Sequence, residues 1–154
     1  MSKIERKIAA LPNARRIPKR WHDMKAAKEK RHGNTEWKKN PIKVVDTPAA
    51  VEVFRQLDKG LRSRMFRIMA SKVEFDPKKL VTYQPCVAAA AILQFAKDEK
   101  LSRSKKAYVL GTEHGPTIWN GNHRAVAALL TGRKFRAIYL DLVGNGVGSK
   151  KKKS

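Results

Sequence analysis

An α+β fold is what this sequence predicts: a small mixed sheet with packed helices, preceded by an amphipathic helix and a basic N-terminal arm. Three observations carry that expectation. The hydrophobic pattern has a helical period over residues 48–71 and breaks into short branched and aromatic runs from residue 72. A glycine, Gly121, stands between a strand pattern and an alanine-rich helix pattern. Positive charge is most one-sided at the two ends, and the N-terminal 40 residues hold few large apolar side chains.

Taken in order, residues 1–40 carry 13 Lys and Arg against 4 Asp and Glu, with basic doublets at Arg15-Arg16, Lys19-Arg20, Lys30-Arg31 and Lys38-Lys39. Such a segment is expected to form a partly disordered arm that orders on a partner, with a short helix at Trp21–Arg31. Trp21 and Trp37 either stack on unpaired bases or dock the arm onto the core. Residues 41–71 are expected to hold one amphipathic helix, capped by Thr47 with Pro48 at its first position and weakened at Gly60. Ala50, Phe54, Leu57, Leu61, Met65, Ile68 and Met69 recur along its apolar side. Residues 72–142 form the predicted domain. Strand pieces at Val73–Phe75 and Leu80–Tyr83 are joined through Asp76-Pro77, and a helix runs from Val87 through Lys97 after Pro85. A charged loop, Lys97–Lys106, leads into strands at Ala107–Leu110 and Thr117–Trp119 around a hairpin connection. A helix at about 122–131 is stopped by Gly132, and a last strand spans Phe135–Leu142. Residues 143–154 are a Gly/Lys tail ending in Lys150, Lys151, Lys152 and Lys153.

The 154 residues and 17.4 kDa suit one domain with extensions. A single cysteine, Cys86, excludes an intramolecular disulfide and sits beside Val87 and alanines, as a small core residue does. No apolar stretch resembles a signal peptide or a membrane span, so a cytoplasmic protein is expected, with no membrane partner. A net charge of +22 is costly to keep unless a polyanion neutralises it, and nucleic acid is the default, DNA ahead of RNA, with solubility alone and then an anionic membrane surface as the lesser alternatives. Arg15, Arg16, Lys19, Arg20, Lys30, Arg31, Lys38, Lys39 and the four tail lysines are the expected backbone contacts.

The chemistry is expected at Gly121-Asn122-His123-Arg124; the alternative is that the asparagine caps, the glycine turns, the histidine packs and the arginine pairs with a carboxylate such as Asp141 or Asp76. The first amides of a helix lack partners and its N-terminus is electropositive, so an anion sits there readily. Gly121 allows close approach, Asn120 or Asn122 supplies a cap, Arg124 offers a planar fork to phosphate oxygens, and His123 moves a proton near neutral pH. Glu113 and His114 precede the Gly121 strand; they either join His123 to hold a metal or share protons, or are simply solvated. Asp76 and Asp141 are carboxylates for a metal or for an arginine.

The run Thr117-Ile118-Trp119-Asn120-Gly121-Asn122-His123-Arg124-Ala125-Val126-Ala127-Ala128, followed by Gly132 and the strand Ala137–Leu142, resembles the ParB/sulfiredoxin superfamily. That family is marked by a Gly-x-x-Arg-x-x-Ala box at a strand-to-helix junction, matched by Gly121, Arg124 and Ala127. Its earlier box, a strand ending in a Gln-containing turn before a helix, is similar to Val73–Pro85, with Gln84 in the turn. The resemblance implies a ParB-like nuclease domain, with a phosphodiester or nucleotide site at Gly121, Asn122, His123, Arg124 and Gln84, taking CTP or ATP, with Mg²⁺ or another divalent metal for hydrolysis. Sulfiredoxins place a cysteine before the His-Arg pair; Asn122 stands there in this chain, so cysteine repair is not implied. The helix-turn-helix that follows this domain in chromosome-partition members is not expected in the few residues after Leu142. The expected function is therefore a small, basic, phage-type nucleic-acid-binding protein, acting in a host cytoplasm or nucleoid, with nuclease activity at the turn, where His123, Arg124, Glu113 and His114 are the catalytic candidates. A CTP/ATP-binding switch module and a non-catalytic DNA-binding or interaction protein are the alternatives.

Overall fold

The computed structural model describes residues 1–104 and 106–143 as a mixed α and β protein. The central feature is a six-stranded mixed sheet in the order β2-β4-β7-β6-β8-β3, built from β2 (Lys43–Val44), β3 (Ser71–Phe75), β4 (Val81–Thr82), β6 (Tyr108–Thr112), β7 (Gly115–Asn120) and β8 (Phe135–Asp141). β6 and β7 pair antiparallel as the expected hairpin, while β8 lies parallel to β6 on its other side and antiparallel to β3. A separate two-stranded ribbon pairs β1 (Trp37–Lys39) with β5 (Cys86–Ala88).

Alternating side chains send the two faces of β6 into different cores, as a period of two requires. Val109 packs with Ile118 and Phe135 under α7 (Asn122–Thr131), α5 (Ala89–Lys97) and α1 (Lys3–Ala9). Leu110 packs with Leu140, Val51 and Phe54 under α3 (Ala49–Gln56) and α4 (Lys59–Met69). Seven consecutive α7 residues, Asn122 to Ala128, are buried. Ala125, Ala127 and Ala128 keep that helix thin enough for neighbours to close on every side. Gly132 ends it in the left-handed conformation, φ 72°, with its amide bonded back into the last turn.

Four sequence expectations are corrected. The helix expected over 48–71 is two: Leu57 and Asp58 adopt extended dihedrals, and Asp58 Oδ1 accepts from the amides of Gly60 (2.8 Å) and Leu61 (3.3 Å). An aspartate that captures those amides offers the chain a new helix start, which beats continuation of the first helix. Thr47 does not cap α3; Pro48 holds that position without a side-chain bond, and Thr47 Oγ1 accepts from Arg20 instead. The helix expected from Val87 begins at Ala89, because Cys86–Ala88 are drawn into the ribbon with β1. Glu99–Ser104, expected as loop, form a short α6.

Residues 1–40 pack on the domain. Ile8 of α1 is buried in the main core, and Lys7 Nζ donates to Leu130 O at the end of α7, 2.9 Å away. Trp37, Cys86, Ala88 and Ala91 form a small core covered by Ala14, Ile17 and Met24, the last from α2 (His22–His32). Trp37 Nε1 donates to Glu29, and Trp21 lies 5.7 Å from Tyr83. The two tryptophans therefore dock this segment onto the rest of the chain. Few large apolar residues suffice because each buries so much area. The tail lysines Lys150, Lys151, Lys152 and Lys153 lie outside the described residues.

Candidate functional site

The junction from β7 into α7 has the anticipated form, but its side chains are used differently from what its motif suggests. Gly121 takes φ 111°, ψ 25°, and a Cβ there would stand 2.8 Å from the Ala107 Cβ. Its freedom serves the packing of the turn on the chain entering β6. Gly121→Ala is therefore expected to cost about 2 kcal/mol, from the left-handed backbone and the forced contact together, measured as a lowered urea midpoint with an unchanged slope.

Asn122, 5 % exposed, is the centre of a buried polar network. Its Oδ1 accepts from Thr82 Oγ1 at 2.6 Å and from Asn40 Nδ2 at 3.2 Å, and its Nδ2 donates to Gln84 Oε1 at 3.3 Å. Asn40 Nδ2 also donates to Gln84 O, and Gln84 Nε2 to Cys86 O. The network ties the N-terminal segment, β4 and the turn before β5 to the first residue of α7. Gln84 thus joins Asn122 at the site, as a partner of the asparagine.

His123, 6 % exposed, accepts from the Ala88 amide through Nε2 at 2.9 Å. Burial first, then the nearby charges of Lys28 and His32, push its pKa down to about 3. The ring is neutral at physiological pH and its Nε2 lone pair is occupied. Use of Nε2 as a general acid or base would break a buried backbone hydrogen bond.

Arg124, 6 % exposed, has a guanidinium with no carboxylate partner among the described residues. One nitrogen, Nη2, reaches Arg136 O at 3.4 Å, the Phe135 ring lies 5.9 Å away, and Nη1 is buried with no partner. Neither Asp76 nor Asp141 pairs with it; their carboxylates accept from the Lys78 and Val143 amides. A buried cation left without an anion is costly, and a bound anion would relieve that cost.

These residues open on a cleft of ≈ 320 Å³ lined by Gly121, Asn122, His123 and Arg124 at the start of α7, by Gln84, and by Lys28, Arg31 and Lys106. No side chain caps α7, and Ala125 is its first amide bonded back to a residue of the turn, Gly121 O at 2.9 Å. The cleft thus combines a helix N-terminus with a ring of cations. Arg31 was legible as a basic residue of the arm, whereas Lys28 and Lys106 were missed. The signal available for Lys28 was its spacing from Arg31, which puts both on one face of α2.

The remaining candidates fall elsewhere. Glu113 and His114 sit in the β6–β7 turn, half exposed and 4.0 Å from each other. The six residues of β7 separate them from Gly121, roughly 16–20 Å at strand spacing; they do not join the site. Lys38 is 3 % exposed, and its ammonium donates to Asn13 Oδ1 at 2.7 Å and to Ala9 O, so it is a structural cation and not a nucleic-acid contact. Arg20 is engaged by Thr47 and Glu52, while Arg15, Arg16, Lys19, Lys30, Arg31 and Lys39 are exposed. Among the described residues no group of three His, Cys, Asp or Glu side chains is placed to hold a metal, and no carboxylate lines the cleft. A divalent ion would find no anionic ligand among the described residues of this cleft, so they do not fit the metal that hydrolysis was expected to use. Burial raises the pKa of the Cys86 thiol, consistent with a core residue.

Comparison of the chain with protein-family models, with curated proteins and with solved structures gives no match. No helix among the described residues is long and apolar enough to cross a membrane.

Proposed function

We propose that this protein binds nucleic acid through its phosphates, with the α7 N-terminus as the grip, and that the site holds a phosphate without hydrolysing it. The observation that carries this reading is the cleft itself: uncapped helix amides, an anion-less buried arginine, three further cations and no carboxylate. The net charge of +22 supports a polyanionic ligand. The Gly-x-x-Arg-x-x-Ala likeness to the ParB/sulfiredoxin superfamily supports the same place on the chain. Nuclease activity has less behind it, because His123 Nε2 is occupied as a hydrogen-bond acceptor and no carboxylate lines this cleft to activate water or hold a metal; Glu74 and Glu99 line a different pocket that Arg124 also borders.

Anisotropy titration of a labelled 20-nucleotide DNA at several salt concentrations tests the grip. Arg31→Ala/Lys106→Ala is expected to weaken binding about tenfold or more and to flatten the logarithmic salt dependence by about two phosphate contacts. Glu113→Ala, at the far end of β7, should leave both unchanged. A double variant with the wild-type salt slope overturns the assignment, and plasmid cutting by the wild type that Arg124→Met abolishes would restore the nuclease reading. A second reading, a nucleotide ligand such as CTP or ATP, is favoured by the cleft volume, which reaches the range of small-molecule sites. Calorimetric titration with each nucleotide decides it: saturable heat lost in Arg31→Ala/Lys106→Ala supports it, and no heat removes it.

A further inference from the structure

A second groove, ≈ 490 Å³, adjoins the α7 cleft and shares Lys106, Trp119 and Asn120 with it. α4 supplies Lys59, Arg62 and Arg67 to its walls, and Phe66 and Tyr108 add aromatic surface as a tilted pair with ring centroids 4.7 Å apart. No Asp or Glu lines either cleft. Arg62 is steered by a bond from its Nε to Leu57 O at 3.1 Å, made possible by the break between α3 and α4. Trp119 meets Phe54 edge to face at 5.1 Å, with the Tyr83 ring 6.4 Å away and the Arg55 guanidinium 6.0 Å from its ring.

Cations alone would fit any polyanion, and aromatic rings alone would fit any apolar partner. Interleaved in one groove without a carboxylate, they fit a ligand that alternates phosphates with flat rings free to leave their own stack. Bases paired inside a duplex are not free in that way. We propose that this groove receives unpaired bases, so that the protein's ligand is single-stranded nucleic acid running from the α4 groove into the α7 cleft. This rests on the phosphate grip proposed above. The bases stack against Tyr108 and Trp119, the backbone passes Lys59, Arg67 and Lys106, and a phosphate reaches the start of α7.

The test compares three labelled ligands of equal length at one salt concentration: an eight-nucleotide oligothymidine, the same strand made abasic, and a hairpin duplex. The wild type is expected to bind oligothymidine at least about tenfold more tightly than the abasic strand, since stacking contributes that much per base, and more tightly than the duplex. Tyr108→Leu, checked for a native circular dichroism spectrum, should erase the preference for bases while keeping affinity for the abasic strand. Because Tyr108 also packs on Phe66, a second measurement uses the wild type alone: irradiation of a bromodeoxyuridine-containing octamer should crosslink to Tyr108, Trp119 or Phe66. Equal affinity for thymidine and abasic strands, tighter binding of the duplex, or crosslinks confined to residues 1–40 would each overturn the groove and leave the phosphate grip standing. No saturable binding of any of the three ligands would overturn both.

Discussion

Asn122→Ala is expected to remove about 3 kcal/mol of folding stability, because three buried groups each lose a hydrogen bond to its amide. Thr82 Oγ1, Asn40 Nδ2 and Gln84 Oε1 all meet the Asn122 amide. Removing it leaves Gln84 Oε1 without its partner at the wall of the cleft, while Thr82 Oγ1 keeps its bond from the Gln84 amide. Each unsatisfied buried group costs about 1–3 kcal/mol, with Asn40 keeping its second bond to Gln84 O. Asn122→Asp keeps the acceptor oxygens and replaces the donor amide with a second oxygen. It should be destabilising at neutral pH, where a carboxylate oxygen would face Gln84 Oε1. Urea unfolding of the wild type and both variants measures these losses; a fall of under about 1 kcal/mol for Asn122→Ala would show that the network contributes little.

The second large effect is acid lability. His123 is held near a pKa of about 3 in the folded protein, against 6.5 for an ordinary histidine. A histidine whose folded pKa is depressed takes up a proton more readily when unfolded. Its contribution to stability is therefore intact above pH 6.5 and declines as pH falls from there toward 3. The loss is about 2 kcal/mol between pH 7 and pH 5 and about 4 kcal/mol by pH 3.5. His32, whose pKa is also lowered by burial and by Lys28 and Arg31, acts with the same sign. Glu5 and Glu29 are lowered by their hydrogen-bond partners and lose stability only in the carboxylate range below. His123→Gln cannot titrate and can still offer an oxygen to the Ala88 amide, so its stability should stay flatter between pH 7 and pH 5. Parallel pH profiles for the wild type and His123→Gln would sink this account.

Both effects concern residues that sequence reasoning had assigned to ligand chemistry. An Asn-His-Arg run after a glycine at a helix start is consistent with an anion site, and the junction is indeed uncapped and ringed by cations. Nothing in the local run says that the helix is buried on all sides, and that burial decides what each side chain does. Asn122 reaches a partner 82 positions away and His123 one 35 positions away. Such pairings are set by which strands and segments the chain brings alongside.

From the residues alone came the α+β class, the β6–β7 hairpin, α7 with its Gly132 stop, the last strand, and the strand-to-helix junction at Gly121. These are local properties: a hydrophobic period, a turn glycine, a helix end without partners. Only the tertiary structure decided the rest. It docked the basic segment through two tryptophans and a buried Ile8. Glu113 and His114 came to lie a strand's length from the site, while Lys28 and Lys106 came to its rim. The physical reason is common to all of these. A sequence pattern reports the backbone and the face a residue prefers, whereas the partner of a buried polar group depends on contacts between segments far apart in the chain.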